Sequence, residues 1–365
     1  MKKNEYYSLD NILKTNADYY VIFGERSNGK TTAVLSYALK EFCQSGYKNQ
    51  CALIRRFEED YKGKNGSSMC NTLVSLNMVK EYTKNEYNNI IYFSQRWFLC
   101  YTNENGDKIK QCEQPFLTGF AISSEEHYKS TSYPNIKNVL FDEFITRSFY
   151  LVDEFIKFQN LLSTIIRNRD DVKIFMCGNT INQYCIYFKE MGLTNIKKMD
   201  KGTIDIYSYG ESELKVAVEF SDFKGKKKKS NKYFAFNNPK LEMIKSGAWE
   251  MDIYPHLPVK YTPKDIAYIY FINFEETLLQ CEIIFVENTS FTYIHKKTTP
   301  IQKDNVNIVY QKEYSELRNY RRNLLKPMSK TEQKILSYFQ KDKVFYQDNE
   351  LGELVRNYLN WCKQQ

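Results

Sequence analysis

Residues 19–35 read YYVIFGERSNGKTTAVL, and their order decides the fold of the first half of the chain. Tyr19, Tyr20, Val21, Ile22 and Phe23 are strand formers. Gly24 opens a stretch that satisfies G-x-x-x-x-G-K-[ST] as far as Thr31. The run that follows carries Val34, Leu35, Ala38, Leu39 and Phe42 on one side of a helix. Strand, glycine-bracketed loop and helix form the context in which this motif binds phosphate. Backbone N–H groups and the helix N-terminus take up phosphate oxygens. The expected cradle is Gly24, Glu25, Arg26, Ser27, Asn28, Gly29, Lys30, Thr31 and Thr32. Lys30 is placed to reach the β- and γ-phosphates of ATP, and the Thr31 hydroxyl to bind Mg²⁺.

Further along, short apolar strands alternate with helical patterns. QCALIRRF (50–57) is a buried strand ending in two arginines, YKGKNGSS (61–68) a flexible basic loop, and CNTLVSLNMVKEY (70–82) a helix. Two apolar runs flank NENGD (103–107), which predicts a β-hairpin insertion. NVLFDEF (138–144), the amphipathic stretch 152–169 and DVKIFMCGNT (171–180) then read as strand, helix and strand. Strands joined in this way form a parallel sheet covered on both faces.

NVLFDEF puts Asp142 at a strand's carboxyl end, where it holds Mg²⁺ beside the phosphate loop. Glu143 follows directly and suits a general base that activates water. Asn179, at the tip of IFMCGNT, is placed to contact the γ-phosphate or the water and report hydrolysis. Arg167 and Arg169 end the intervening helix, either as cations complementing its dipole or as an arginine finger for a neighbouring subunit. Arg26, inside the loop, could serve the same purpose in cis.

The 365 residues suit two domains, and 30 Tyr and 24 Phe supply ample core material. The net charge of +8 is spread over both halves, compatible with a polyanionic partner without requiring one. Nine Cys without a CxxC pair and three scattered His argue against a disulfide framework or zinc site and suit a reducing cytoplasm. The start has no apolar leader, and no stretch approaches the ~20 apolar residues that span a bilayer. Near residue 221 the character changes. SDFKGKKKKSNK reads as a linker, NNPKLEMIKSGAWEM (237–251) as a helix, and the stretch from about 253 as a strand meander closed by two helical patterns, SELRNYRRNLL and DNELGELVRNYLNW. The expected divisions are 1–220, a linker at 221–252, and 253–365.

GERSNGKTT, ALIRRFEED, SYPNIKNVLFDEF, IIRNRDD and MCGNT occur in an order and form that resemble the DNA encapsidation ATPases, the packaging motors of small tailed phages. The resemblance is good over about residues 19–190 and collinear but faint beyond. It implies an ASCE-type α/β ATPase domain followed by a linker and a smaller domain resembling an RNase H-type nuclease without its catalytic acids. It also implies a homomeric ring, pentameric in that family, which drives double-stranded DNA through the portal of a procapsid in the host cytoplasm. A structural RNA is left open as a further partner. By the same resemblance Arg167 matches the trans-acting finger, with Arg169 second, and Lys129, in the loop entering the Asp142 strand, faces the neighbouring site. The interior of the loop, ERSN, is bulkier and more charged than is common there, which keeps Arg26 open.

A motor that grips any sequence contacts phosphates. Lys62 and Lys64 are the first candidates, followed by Lys226, Lys227, Lys228 and Lys229. Asp205, Glu219, Asp222 and Asp252 form no recognisable two-metal cluster, so nuclease activity is not expected. Two other readings share the phosphate loop: a kinase of a small substrate, which has no need of Glu143, and a nucleotide-gated scaffold or other DNA-translocating ATPase such as a helicase loader.

Overall fold

In the computed structural model, residues 6–147, 150–210, 213–222, 249, 252–286, 288–302 and 304–365 are described. The chain forms two compact units, Met1–Trp249 and Glu250–Gln365.

The first unit contains the strands β1 (Tyr19–Gly24), β2 (Gln50–Arg55), β3 (Asn89–Phe93), β4 (Arg96–Thr102), β5 (Lys108–Gln111), β6 (Leu117–Ala121), β7 (Ile136–Asp142), β8 (Lys173–Asn179), β9 (Ile204–Tyr209) and β10 (Leu214–Ser221). Its helices are α1 (Asp10–Leu13), α2 (Lys30–Gln44), α3 (Gly63–Ser68), α4 (Asn71–Ser75), α5 (Met78–Tyr82), α6 (Glu154–Ile166) and α7 (Ile186–Glu190). All ten strands form one sheet in the order β3-β4-β6-β2-β7-β8-β1-β10-β9, with β5 paired to β4. From β6 to β10 the pairings are parallel, with antiparallel strands at both edges.

Consecutive residues of the central strands feed opposite faces, as the period-2 pleat requires. Tyr20, Ile22, Leu53, Leu140 and Phe175 join the layer that packs on α2 through Val34, Leu35, Ala38, Leu39 and Phe42. Val21, Phe23, Ile54, Phe141 and Met176 join the opposite layer, which α6 covers with Phe158, Leu161, Leu162 and Ile165. Both faces are dry, so the strands read as continuous apolar runs.

Four local expectations change. The 61–68 stretch is not a loop: it contains α3, where Gly66 lies against Tyr61 and Tyr92 and its carbonyl accepts from Trp97 Nε1 at 2.8 Å. The single helix at 70–82 is two, broken at Asn77, whose φ is +58°. The insertion is confined to β3, β4 and β5, because β6 pairs in parallel with β2 and belongs to the central sheet. In the second unit, SELRNYRRNLL is not helical; it supplies a two-residue strand, because Tyr320 and Arg321 pair with a neighbouring strand. The linker and helix expected between 221 and 252 lie almost wholly outside the described residues, as do Lys226, Lys227, Lys228 and Lys229.

The second unit holds β11 (Ile266–Phe274), β12 (Thr277–Val286), β13 (Thr289–Lys296), β14 (Val309–Gln311), β15 (Tyr320–Arg321) and β16 (Val344–Tyr346), with α8 (Lys330–Gln340) and α9 (Asn349–Gln364). The antiparallel meander β11-β12-β13 is the expected one. β14 then β15 extend it in parallel on the β11 side, and β16 lies parallel to β13.

Candidate nucleotide site

Because β1, β7 and β8 are parallel and adjacent, their carboxyl ends lie together, with Gly24 opposite Asn179 and Asp142 opposite Cys177. Ligands of open α/β sheets bind outside this edge. A pocket of about 370 Å³ opens there, lined by the loop residues Arg26 to Thr32, by Asp142 and Glu143, and by Cys177, Gly178 and Asn179. Gly29, at φ +92°, turns the loop into the first residue of α2. A side chain at that position would sit 2.9 Å from Tyr6.

Lys30 is buried, and its ammonium donates to the carbonyls of Gly24 at 3.3 Å and Glu25 at 2.7 Å and to Asn28 Oδ1 at 3.1 Å and Asn179 Oδ1 at 3.2 Å. Asn179 therefore stands beside the cation that a γ-phosphate would meet. The Thr31 hydroxyl donates to Asp142 Oδ1 at 2.7 Å. A hydroxyl and a carboxylate side by side at a phosphate loop are hard oxygen donors of the kind Mg²⁺ takes, so the residues fit both the nucleotide and its metal.

Arg55 is a site residue that the sequence reading noted only as a strand end. Its Nη1 donates to Asp142 Oδ2 at 2.8 Å and its Nη2 to Glu143 Oε2 at 2.6 Å, so one guanidinium spans both acids. The Glu143 side chain is otherwise 59% exposed, open to water at the pocket mouth. Its φ of +59° is left-handed, a conformation that costs a non-glycine residue about 1–3 kcal/mol and tends to persist at functional sites. Arg26 is exposed on the pocket wall, next to Ser27 at φ +58°.

The two finger candidates separate clearly. Arg169 gives its whole fork to backbone carbonyls, those of Tyr133, Pro134, Ile136, Ile165 and Ile166, at 2.6–3.1 Å. Burial among them pushes its guanidinium below the ordinary arginine value. Arg167 is exposed and makes one side-chain bond, to the Thr131 carbonyl at 3.2 Å. Both sit at the start of β7, whereas Asp142 ends that strand. Six residues of strand put roughly 20 Å between them, beyond the reach of an arginine side chain within one subunit.

The lysines lie elsewhere. Lys129 is half-exposed, 3.6 Å from Glu126, on the segment leading to Thr131. Lys62 pairs with Glu58 at 3.5 Å, and Lys64 is exposed on α3. Of the four acids, Asp205 and Glu219 lie on the paired strands β9 and β10, where Asp205 accepts from Asn195 Nδ2 at 2.6 Å and Glu219 from the Tyr7 hydroxyl, and in the second unit Asp252 pairs with Arg356. Among the described residues no three His, Cys, Asp or Glu side chains gather as metal ligands. Among them, too, no helix is long and apolar enough to cross a membrane.

The family model for the podovirus DNA encapsidation protein (Gp16) matches residues 1–360. The chain belongs to this family. Among curated relatives it is 24% identical over 229 residues to the DNA packaging proteins of Bacillus phages PZA and phi29, covering 60% of this chain and 59% of each relative. It is 26% identical over 213 residues to that of Bacillus phage B103, covering 57% of both chains. The aligned part is thus under two thirds of the relatives' length. Solved structures of similar fold include the Phi-28 gp11 DNA packaging motor, 20% identical with a TM-score of 0.54, covering 100% of this chain and 99% of that one. The bacteriophage Phi-29 viral genome packaging motor assembly gives 18% identity and a TM-score of 0.54, covering 99% and 100%.

Proposed function

We propose that the protein is an ATP-hydrolysing motor subunit that moves double-stranded viral DNA into a procapsid through its portal, as one member of a homomeric ring. The observation that carries this reading is the convergence of Lys30, Thr31, Asp142 and Glu143 on one pocket at the carboxyl edge of the sheet. The family membership supplies the cargo: its relatives are named DNA packaging proteins.

Residues 24–32 would hold the triphosphate through backbone N–H groups and Lys30, with Thr31 and Asp142 holding Mg²⁺. Bound Mg·ATP supplies a γ-phosphoryl group open to in-line attack by water. Glu143 is the base for that water, and its exposed carboxylate stands where solvent reaches the pocket. The Arg55 clamp holds Glu143 away from this task, so turnover requires Arg55 to release it. Asn179, hydrogen-bonded to Lys30, is suited to register loss of the γ-phosphate. The length of β7 speaks for Arg167 acting in the next subunit's pocket, and the carbonyl contacts of Arg169 speak for a structural role. Arg26 borders its own pocket and serves there in cis. Lys129 belongs with Arg167 on the face that meets the neighbour, and Lys62 and Lys64 with the DNA phosphates.

The pentameric ring and a structural RNA are proposals from the family resemblance. So is an RNase H-like C-terminal unit without nuclease activity; a mixed sheet built on an antiparallel meander is the architecture that reading calls for. A small-molecule kinase would not use an acid directly after Asp142. Phosphate release from ATP measured with duplex DNA and, separately, with nucleosides distinguishes the two. Stimulation by DNA alone supports the motor; phosphorylation of a nucleoside rejects it.

A further inference from the structure

Arg55 and Arg56 are neighbours at the end of β2, and strand alternation sends them to opposite sides. Arg55 reaches Asp142 and Glu143, two acids that line the pocket. Arg56 is 8% exposed on the other face and makes a fork with Glu154, Nε to Oε2 and Nη2 to Oε1, both at 2.8 Å. The same guanidinium donates to the Phe144 carbonyl at 3.1 Å and the Glu143 carbonyl at 3.5 Å. Glu154 also accepts from the Tyr187 hydroxyl at 2.8 Å and from the Leu151 N–H at 2.7 Å. Burial alone would lower the Arg56 guanidinium, but the Glu154 hydrogen bonds and charge outweigh it and hold the group above its ordinary value.

A buried ion pair gives little stability that an apolar pair of the same shape would not. Its placement is what stands out. Glu154 is the first residue of α6, and Arg167 caps the other end of that helix, roughly 20 Å away. The helix is seated on the sheet by Phe158, Leu161, Leu162 and Ile165, so it moves as one piece. Arg56 thus grips the backbone on the carboxyl side of strained Glu143 with the same fork that grips the helix presenting Arg167.

Building on the trans role of Arg167 proposed above, we infer that Arg56 is a positioning residue. It ties the Glu143 turn to α6, so that the state of one subunit's pocket sets how that subunit delivers Arg167 to the next. When Arg55 releases Glu143 and the turn shifts, the Glu143 and Phe144 carbonyls carry Arg56, Glu154 and α6 with them. In a subunit lacking the fork, Glu143 keeps its place at the pocket through Arg55, whose Nη2 donates to its Oε2 at 2.6 Å. The subunit's own pocket survives while its finger is misdirected.

The test uses the full-length protein assembled on portal-bearing procapsids with duplex DNA. Arg56→Lys alone is expected to bind ATP with unchanged affinity and to lose at least tenfold in turnover. Mixed with Glu143→Gln subunits it is expected to regain activity, because its intact pockets receive fingers from subunits whose arginine is correctly held. Arg167→Ala mixed with Glu143→Gln is the reference. Rescue in the reference without rescue for Arg56→Lys overturns this inference and leaves the shared site standing. No rescue in the reference rejects the shared site, and the inference with it. Wild-type turnover by Arg56→Lys also overturns the inference. Tyr187→Phe, which deletes one bond to Glu154 and keeps the ring in the core, is expected to lose turnover two- to fivefold with the same rescue. It decides the matter if Arg56→Lys shows no cooperative melting.

Discussion

The nucleotide pocket of the N-terminal unit holds its charges around an opening, whereas the C-terminal unit encloses its buried charges among protein donors. In the first, Lys30, Asp142 and Glu143 line one pocket, with Arg55 bonded to both acids, and their present partners are groups that a nucleotide and its metal would displace. In the second, the buried carboxylates take protein donors. Glu332 accepts from Arg321 Nε at 2.9 Å and the Met328 N–H at 2.9 Å, Glu353 from the Tyr254 hydroxyl at 2.7 Å, and Glu282 from Tyr261 and Gln280, both at 2.6 Å. The contrast teaches that a buried charge by itself says little about chemistry. What distinguishes the two units is whether the partners can be exchanged for a ligand.

Substitutions in the two units should therefore fail in different ways. The sharpest case lies within the first unit. Arg167→Ala should lower turnover by on the order of 10³ or more and leave thermal unfolding unchanged. Arg169→Ala should leave the intrinsic chemistry intact and lower stability by about 1 kcal/mol, because it removes the donors of five part-buried or exposed carbonyls. Parallel ATPase assays and melts separate them, and equal loss of turnover without loss of stability in both would break the distinction.

Glu332→Gln, in the second unit, should lower stability by about 1–3 kcal/mol through its buried bonds to Arg321 and the α8 N-terminus. ATP affinity below the melting range should not change, which nucleotide titration and denaturant unfolding would show. Neutralising Lys62 and Lys64 together should reduce the salt dependence of DNA affinity, lowering the slope of log K against log salt by about 1.8. An unaltered slope in binding isotherms would remove them from the DNA contact.

The smallest effect is a pH dependence. The hydrogen bond that His295 donates to Glu282 raises the imidazole above its ordinary value. Burial opposes ionisation of Glu282, but donors from His295, Tyr261 and Gln280 outweigh it and hold that carboxylate below its ordinary value. Stability from the raised histidine is full below about pH 6.5 and lost as pH rises through its folded value; stability from the depressed glutamate is full above about pH 4.3 and lost as pH falls through its folded value. The pair thus contributes most between those limits. Melting temperatures of wild type and His295→Gln should differ more at pH 6 than at pH 8, and a constant difference would count against the pairing.

The phosphate loop, the Asp142 and Glu143 tip and the parallel sheet were legible in the sequence because each is a local pattern: a glycine spacing, an apolar run ending in acids, helices between strands. Arg55 was not legible as a site residue. Its partners lie 87 and 88 positions away, and a strand-terminal arginine pair carries no sign of which member reaches the pocket's acids. The different settings of Arg167 and Arg169 were equally hidden, since they depend on carbonyls at 133–136 that only Arg169 meets. Helix boundaries failed where context overrides propensity. At 315–325 strand pairing won over a helical pattern, and at 330–340 the Ser329 cap, which accepts from the Glu332 N–H at 3.2 Å, starts a helix that the sequence reading passed over.

The most direct measurement is DNA protection in procapsids, with phosphate release recorded in the same reaction, for the wild-type protein and for Glu143→Gln. The account predicts ATP-dependent protection and release by the wild type. The variant should bind ATP as tightly, yet release phosphate at least about 10² times more slowly and protect no DNA. DNA uptake by Glu143→Gln at the wild-type rate would contradict it.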